Sequence, residues 1–188
     1  GDHTGLFPGD YYYTYTYVTV DNEESAPAPV SQRLVRYVND SAVLSDFTPP
    51  PAGYTSVVNR VRVYRTQTGS EATSFFFLRE DPVSGLTTLE DDNRQLQEVL
   101  ETKGWLPPPA DLKCLTGMWG GMMAGISGRG IRLCEPNVAY AWPIAYEYVP
   151  LDYTPVALGS FAQNLVVLTN GAPMILSGTA PDSMDEMP

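Results

Sequence analysis

Residues that could carry out chemistry are few in this sequence, and their spacing argues against an enzyme. The segment Gly125-Ile-Ser127-Gly128-Arg129 resembles a serine nucleophile elbow, but that motif requires glycine where Arg129 stands. The single histidine is His3, near the first residue, so a Ser-His-Asp triad is not expected. The sequence contains no Walker loop and no dinucleotide fingerprint. We therefore predict no catalytic or cofactor-binding residue.

Acidic residues occur in adjacent pairs at Glu23-Glu24, Asp91-Asp92 and Asp185-Glu186. Neighbours on a strand point to opposite sides, whereas a glycoside hydrolase needs two carboxylates that face each other across a sugar. We expect these acids to be solvated in turns or at a helix start. One histidine with the two cysteines, Cys114 and Cys134, does not make a zinc site. The cysteines are expected to be buried free thiols, as in a reducing cytoplasm, and no metal is predicted.

Aromatic residues are the other candidates for a site. In Tyr11–Val20 the odd-numbered tyrosines share one face of a predicted strand. Such a row could stack on a sugar, or it could form sandwich core and contact a neighbouring subunit. We interpret the row as packing, together with the tryptophans. The predicted packing or interface residues are Tyr11, Tyr13, Tyr15, Tyr17, Trp105, Trp119 and Trp142.

Composition and charge restrict the partners of this chain. The 188 residues carry a net charge of −11 and an isoelectric point near 4.3. Such a surface repels phosphate, so nucleic acid and acidic membranes are not expected to bind. No apolar run approaches the roughly 20 residues that span a bilayer. The first residues lack an initiator Met and a signal sequence, and we expect the chain to be cut from a longer product.

The first part of the chain is predicted to be a β-sandwich. Strand patterns with turn signals between them recur roughly every 8–12 residues, and this favours a β-sandwich. Strands are expected at Gln32–Val38, Val57–Arg65, Ser74–Arg79 and Leu86–Leu89. One short helix is expected over Asp92–Lys103, where Leu96, Val99 and Leu100 fall at helical spacing. This sandwich spans residues 1–104, and a proline-rich linker follows at 105–110.

Residues 111–188 contain an internal repetition with a 43-residue offset. The matching pairs are Leu115/Leu158, Met118/Phe161, Met122/Leu165, Met123/Val166, Gly128/Gly171, Ile131/Met174, Leu133/Leu176 and Cys134/Ser177. A period of about 40–45 residues is the size of one β-propeller blade. We therefore predict two blade-like units that stack against further copies. The whole chain is expected to be all-β, apart from the short helix.

Several segments resemble structural tail proteins of tailed bacteriophages, which couple a fibronectin-III-like module to a β-propeller. The resemblance lies in Tyr15–Pro29, Val61–Thr66, Pro109–Leu115, Met123–Trp142 and Leu165–Met184. This sequence departs from the family in being short, in stopping after two blade-like units and in having Cys134 where serine is usual.

The resemblance implies a non-enzymatic nozzle or tail-tube subunit. Such a subunit forms a homo-oligomeric ring, a hexamer by resemblance, on the phage connector and contacts other tail proteins. DNA passes through without sequence-specific binding. The protein would be assembled in the host cytoplasm and reside in the virion tail.

Two alternatives stay open at the level of sequence. The chain could be a carbohydrate-binding fibronectin-type and propeller module of a secreted enzyme, with the tyrosines as the sugar platform. It could also belong to a propeller hydrolase whose active site lies in other blades. The repetition and the absence of a catalytic set favour the structural interpretation over both.

Overall fold

The computed structural model describes residues 7–37, 40–67, 74–92, 95–150 and 152–187, and the all-β class predicted from the sequence is confirmed. Two compact units divide the chain between Lys103 and Gly104. Within the described residues the helical segments are three short 3₁₀ turns, at Ala52–Tyr54, Trp119–Gly121 and Ile144–Tyr146. None of them is long and apolar enough to cross a membrane.

The first unit consists of small antiparallel sheets. Its strands are β1 (Gly9–Tyr11), β2 (Tyr13–Thr19), β3 (Leu34–Arg36), β4 (Ala42–Leu44), β5 (Val58–Thr66), β6 (Phe75–Pro82) and β7 (Leu89–Asp91). They form a three-stranded sheet β2-β5-β6 and two pairs, β1-β3 and β4-β7. One hydrophobic core contains residues from all three sheets, among them Tyr11, Val61 and Leu89. The alternation of β5 explains this, because Val61 and Val63 face the core while Arg60 and Arg62 face away.

The tyrosine strand changes sheets part-way along. The single strand predicted over Tyr11–Val20 is divided at Tyr12, so that β1 pairs with β3 and β2 pairs with β5. The odd-numbered tyrosines all pack into the first core, whereas Tyr12 packs into a smaller cluster on the other face, with Tyr64, Phe75 and Leu100. Side chains therefore continue to alternate between the two faces across the division at Tyr12.

The helix predicted over Asp92–Lys103 is wrong in the part that the structure describes. Residues 95–100 run along the outer edge of β6 instead, where the Phe77 N–H donates to Glu98 O and the Leu100 N–H donates to Phe75 O. Leu96 packs against the first core, whereas Leu100 belongs to the smaller cluster on the other face, and one face of a helix could not place them so. The backbone groups at the edge of β6 need partners, and this favours the extended form.

The second unit contains two four-stranded antiparallel meanders. The first has β8 (Lys113–Gly117), β9 (Met123–Ser127), β10 (Gly130–Leu133) and β11 (Glu147–Tyr148), and the second has β12 (Pro155–Phe161), β13 (Asn164–Thr169), β14 (Met174–Ser177) and β15 (Asp185–Met187). In each sheet, strands that are consecutive in the sequence are also neighbours in the sheet. The first three strands of the second sheet overlap those of the first after a shift of 43 residues, as the repetition predicts.

The repetition extends to the core, but not to every matching pair. Met122 and Leu165 are both buried, and so are Leu133 and Leu176. Met118, in contrast, is buried while Phe161 is 75% exposed. The reason is local: β8 ends at Gly117 and is followed by a 3₁₀ turn, whereas β12 continues to Phe161 before a two-residue turn.

The two sheets of the second unit pack with equivalent faces toward each other. Met122, Ile131 and Leu133 of the first sheet share one core with their counterparts Leu165, Met174 and Leu176 of the second. Successive blades around a propeller axis would bring the front of one sheet against the back of the next. The packing seen here is therefore face to face, and the front-to-back stacking expected of neighbouring blades is absent from the described residues of this unit.

Candidate functional site

A buried polar cluster of the first unit surrounds Asp91, and we call it the Asp91 cluster. Asp91 Oδ2 accepts hydrogen bonds from the Tyr13 hydroxyl (2.8 Å), Arg36 Nη2 (2.6 Å) and Arg65 Nη1 (2.5 Å). The Tyr11 ring completes the cluster, with the guanidinium carbons of Arg36 and Arg65 at 4.7 and 5.3 Å from its centroid. All five residues are buried, and the Asp91 carboxylate is fully enclosed.

The chain topology brings this cluster together from three sheets. Tyr11 and Arg36 lie on β1 and β3, Tyr13 and Arg65 lie on β2 and β5, and Asp91 ends β7. Burial and the hydrogen bond to Asp91 raise the pKa of Tyr13 well above its ordinary value, so the hydroxyl remains a donor at neutral pH. A fully enclosed carboxylate held by three donors cannot reach a substrate, and the cluster acts as a cross-link between sheets.

A second polar group lies on the opposite face of the β2-β5-β6 sheet, and we call it the Glu24 network. Glu24 accepts from Thr16 Oγ1 (2.6 Å), the Tyr64 hydroxyl (2.5 Å) and Arg62 Nη1 (2.8 Å). Arg62 Nε also donates to Glu80 at 2.7 Å. Burial opposes ionisation of Glu80, but the arginine hydrogen bonds outweigh it and lower its pKa. The network fixes the outer face of the sheet by charge pairing.

The two acidic pairs in this unit do not behave as predicted. Asp91 was expected in a solvated helix start and is instead the centre of a buried cluster. Glu24 is half-buried in its network. Sequence reasoning missed the partners of both, although one signal was present. Arg65 follows Val61 and Val63 on the core-facing side of β5, and a charge at such a position requires a buried partner.

The serine of the elbow-like segment is held by a carboxylate in a turn. Ser127 Oγ donates to Asp111 at 2.6 Å, and the Gly128 N–H donates to the same carboxylate at 2.8 Å. These bonds lower the pKa of Asp111, which makes it a weak general base. Asp111 therefore closes the β9–β10 turn. His3 lies outside the described residues.

The cysteines differ from each other in burial. Cys134 is buried and its thiol pKa is raised by that burial, whereas Cys114 is exposed, which makes its predicted burial wrong. Cys114 has a φ of 54° beside an irregularity in the β8–β9 pairing, and this turns its side chain away from the core. Among the described residues no group of three His, Cys, Asp or Glu side chains is placed to hold a metal.

The predicted packing residues occupy different environments. Tyr11 and Tyr13 are buried, and Tyr15 and Tyr17 are half-buried against the same core. Trp142 is buried and donates from Nε1 to Ala139 O at 2.8 Å. Trp119 packs against the core of the second unit, and the half-buried Trp105 meets Tyr140 edge-on at 6.0 Å. The tyrosine row is thus part of a core, and its first two rings present no free face to a sugar.

A groove opens beside the tyrosine row in the first unit, and we call it the Tyr15 groove. Its volume is about 210 Å³, and its walls include Tyr15, Pro29, Ser31, Leu44, Asp46 and Phe47. The Tyr15 and Phe47 rings meet edge to face at 5.2 Å. The Thr48 N–H donates to the Tyr15 hydroxyl at 3.0 Å, which ties the loop after β4 to β2. The groove is therefore preformed.

Comparison with known proteins adds no relative. No protein-family model matches this sequence, and no curated protein matches it either.

Proposed function

We propose that this chain is a non-enzymatic structural subunit of a bacteriophage tail, of the nozzle or tail-tube type, that assembles with further copies of itself. The phage assignment rests on the resemblance of the segments quoted above. The assembly role rests on one structural observation, the outer face of the second sheet in the second unit.

This outer face is mostly apolar, and two of its large side chains are exposed. The residues that point away from the core are Ala157, Phe161, Val166, Leu168 and Ile175. Phe161 is 75% exposed and Leu168 is 49% exposed. A sheet that is apolar on both faces needs a layer on each side to remove that surface from water. The inner face has such a layer, and the outer face requires one from another molecule.

The charge distribution favours a second copy as that molecule. The stretch from Tyr153 to Pro181 contains no Asp, Glu, Lys, Arg or His, in a chain whose net charge is −11. Two such acidic chains repel each other wherever their carboxylates meet. The outer face carries few charges, with Asp185 opposite Ser177 on the edge strand β15, so copies can approach there with less of that repulsion. If each copy uses this face against a different surface of the next, the contact is heterologous, and it forms a ring when the rotation between copies closes.

We assign the first unit to a fibronectin-III-like sandwich, because its small sheets share one core. The second unit is a pair of blade-like sheets by strand order and period, closed on each other through equivalent faces. The acidic surface would let DNA pass a ring of such subunits without binding.

The test compares the copy number of two charge-insertion variants by native mass spectrometry and light scattering. Leu168→Glu places a carboxylate on the outer face, and Val43→Glu places one on an exposed position of β4 in the first unit, where Val43 is 68% exposed. We expect oligomers for the unaltered chain and for Val43→Glu, and a 20.6 kDa monomer with an unchanged circular dichroism spectrum for Leu168→Glu. An unaltered chain that stays monomeric at every concentration contradicts the proposal.

A further inference from the structure

The walls of the Tyr15 groove combine aromatic rings with one negative charge. Tyr15 and Phe47 supply two ring systems inclined at 63° to each other. Of the described residues that line the groove, Asp46 is the only charged one. Aromatic faces and a carboxylate both attract cations, whereas phosphate and carboxylate ligands would meet like charge here. The electrostatics of the groove therefore select a cationic or neutral ligand.

The serine and threonine hydroxyls in the walls already donate their protons to other groups of the chain. Ser45 Oγ donates to Asp46 at 2.9 Å, Ser31 Oγ donates to Gln32 O at 2.9 Å, and Thr14 Oγ1 donates to Ala28 O at 2.7 Å. These oxygen atoms can therefore only accept hydrogen bonds from a ligand, through their lone pairs. A sugar hydroxyl both donates and accepts, whereas an ammonium group only donates. The hydrogen-bonding capacity of the serine, threonine and carboxylate groups therefore fits an ammonium better than a sugar.

The size of the groove limits the ligand further. A volume of about 210 Å³ is smaller than the roughly 300–1,000 Å³ of sites for drug-sized molecules. It holds one small group with a short apolar stem, and Pro29 and Leu44 offer apolar surface for such a stem.

We propose that the Tyr15 groove binds an alkylammonium group, as carried by a lysine side chain or a free primary amine. Asp46 pairs with the charge, the rings of Tyr15 and Phe47 contact the cation through their faces, and the apolar wall takes the stem. This site lies in the first unit and is independent of the proposed assembly face in the second.

The experiment is a nuclear magnetic resonance titration of the full chain with n-butylammonium chloride, near 0.15 M salt to screen its general negative charge. We expect saturable shifts of the Tyr15 and Phe47 ring resonances, with a dissociation constant on the order of millimolar for so small a ligand. The neutral analogue 1-butanol and methyl α-glucoside are expected to give no saturable shift. If 1-butanol shifts these rings as strongly as n-butylammonium does, the groove is merely apolar and the proposal fails.

Two variants test the assigned roles. Asp46→Asn removes the charge but suits the backbone, because Asn also adopts the left-handed conformation that Asp46 has at a φ of 62°. Because Asp46 is exposed, we expect this variant to bind about two- to fivefold more weakly, and Phe47→Leu, which keeps apolar volume, about threefold more weakly. Asp152→Asn, in the second unit, is the matched control and should bind as the unaltered chain does. Equal affinity for Asp46→Asn and the unaltered chain contradicts the assignment.

The source of the ammonium group is decided by a further titration with Nα-acetyl-lysine methylamide. Binding that matches n-butylammonium identifies a lysine side chain of a partner protein as an occupant. Binding of n-butylammonium alone identifies a small free amine. Absence of saturable binding by both overturns the site.

Discussion

At the scale of single residues, the first unit depends on one carboxylate. Asp91 Oδ2 receives hydrogen bonds from two buried guanidinium groups and one phenol. A buried ion pair is not a strong source of stability by itself, because the desolvation of both charges offsets their attraction. Removing one partner is different, since the other charges then stay in the core without compensation. The cluster is therefore more important for holding a defined arrangement of strands than its net energy suggests.

We predict that Asp91→Asn lowers the free energy of unfolding by about 3–5 kcal/mol, because Arg36 and Arg65 lose their shared anion. Chemical denaturation followed by circular dichroism measures the change. Asp10→Asn is the control, since Asp10 pairs with Arg33 at the surface and should leave the denaturation midpoint close to that of the unaltered chain. Equal midpoints for the two variants would show that the buried pairing does not stabilise this unit.

At the scale of elements, the tyrosine strand has a protected edge. The N–H groups of Ser25, Ala28 and Ser31 donate to the carbonyl oxygens of Tyr17, Tyr15 and Tyr13, at 2.8–2.9 Å. These donors are three residues apart, and Pro27 and Pro29 occupy positions between them, where no N–H is needed. Ser25 and Ser31 hydroxyls also accept from the N–H groups of β2. An irregular segment thus covers an edge that would otherwise pair with another chain.

We predict that proline substitutions two residues apart in this segment differ in their effect, with a loss of stability at Ala28 and little or none at Val30. Ala28→Pro removes the N–H that donates to Tyr15 O and should cost about 1–3 kcal/mol of unfolding free energy. Val30→Pro is the matched control, because Val30 is 40% exposed and lies between the donors Ala28 and Ser31. Thermal unfolding of both variants measures the difference. Similar losses for the two would mean that the segment is not held by this hydrogen bond.

At the scale of the whole molecule, the chain consists of two units with separate cores. The core of the first unit is formed around Val61, Val63 and Leu78, and that of the second around Ile131, Leu133 and Leu165. Each unit also satisfies its strand pairing within itself, because no described ladder joins strands across the division. A unit with its own core and its own hydrogen bonds has what independent folding requires.

We predict that a fragment of residues 104–188 folds by itself into the two facing sheets. Its proton–nitrogen correlation spectrum should be dispersed and should overlay the corresponding signals of the full chain, apart from residues near Gly104. Cooperative thermal unfolding of the fragment is the second readout. A collapsed spectrum with narrow dispersion, under conditions where the full chain is folded, would show that the second unit needs the first.

The sequence alone was informative wherever the physics is local. The alternation of Val61 and Val63 with Arg60 and Arg62 predicted the strand over Val57–Arg65, because side chains on a strand point to opposite faces at a fixed period. The 43-residue repetition predicted that β8 and β12 are equivalent strands of two similar units. These patterns together predicted the all-β class. The helix over Asp92–Lys103 failed because the spacing of its apolar residues does not show that the edge of β6 bonds this segment as an extended chain, with Leu96 and Leu100 in different clusters.

The tertiary structure alone decided which distant residues meet. Asp91 lies 55 residues from Arg36 and 78 from Tyr13, and nothing in the local pattern selects them from the other acids and bases. The sequence pattern also did not predict the face-to-face packing of the repeated sheets or the walls of the Tyr15 groove. A periodic pattern specifies the direction of a side chain relative to its own strand, whereas its neighbours depend on which strands come together, and that choice is made by the burial of all the faces at once.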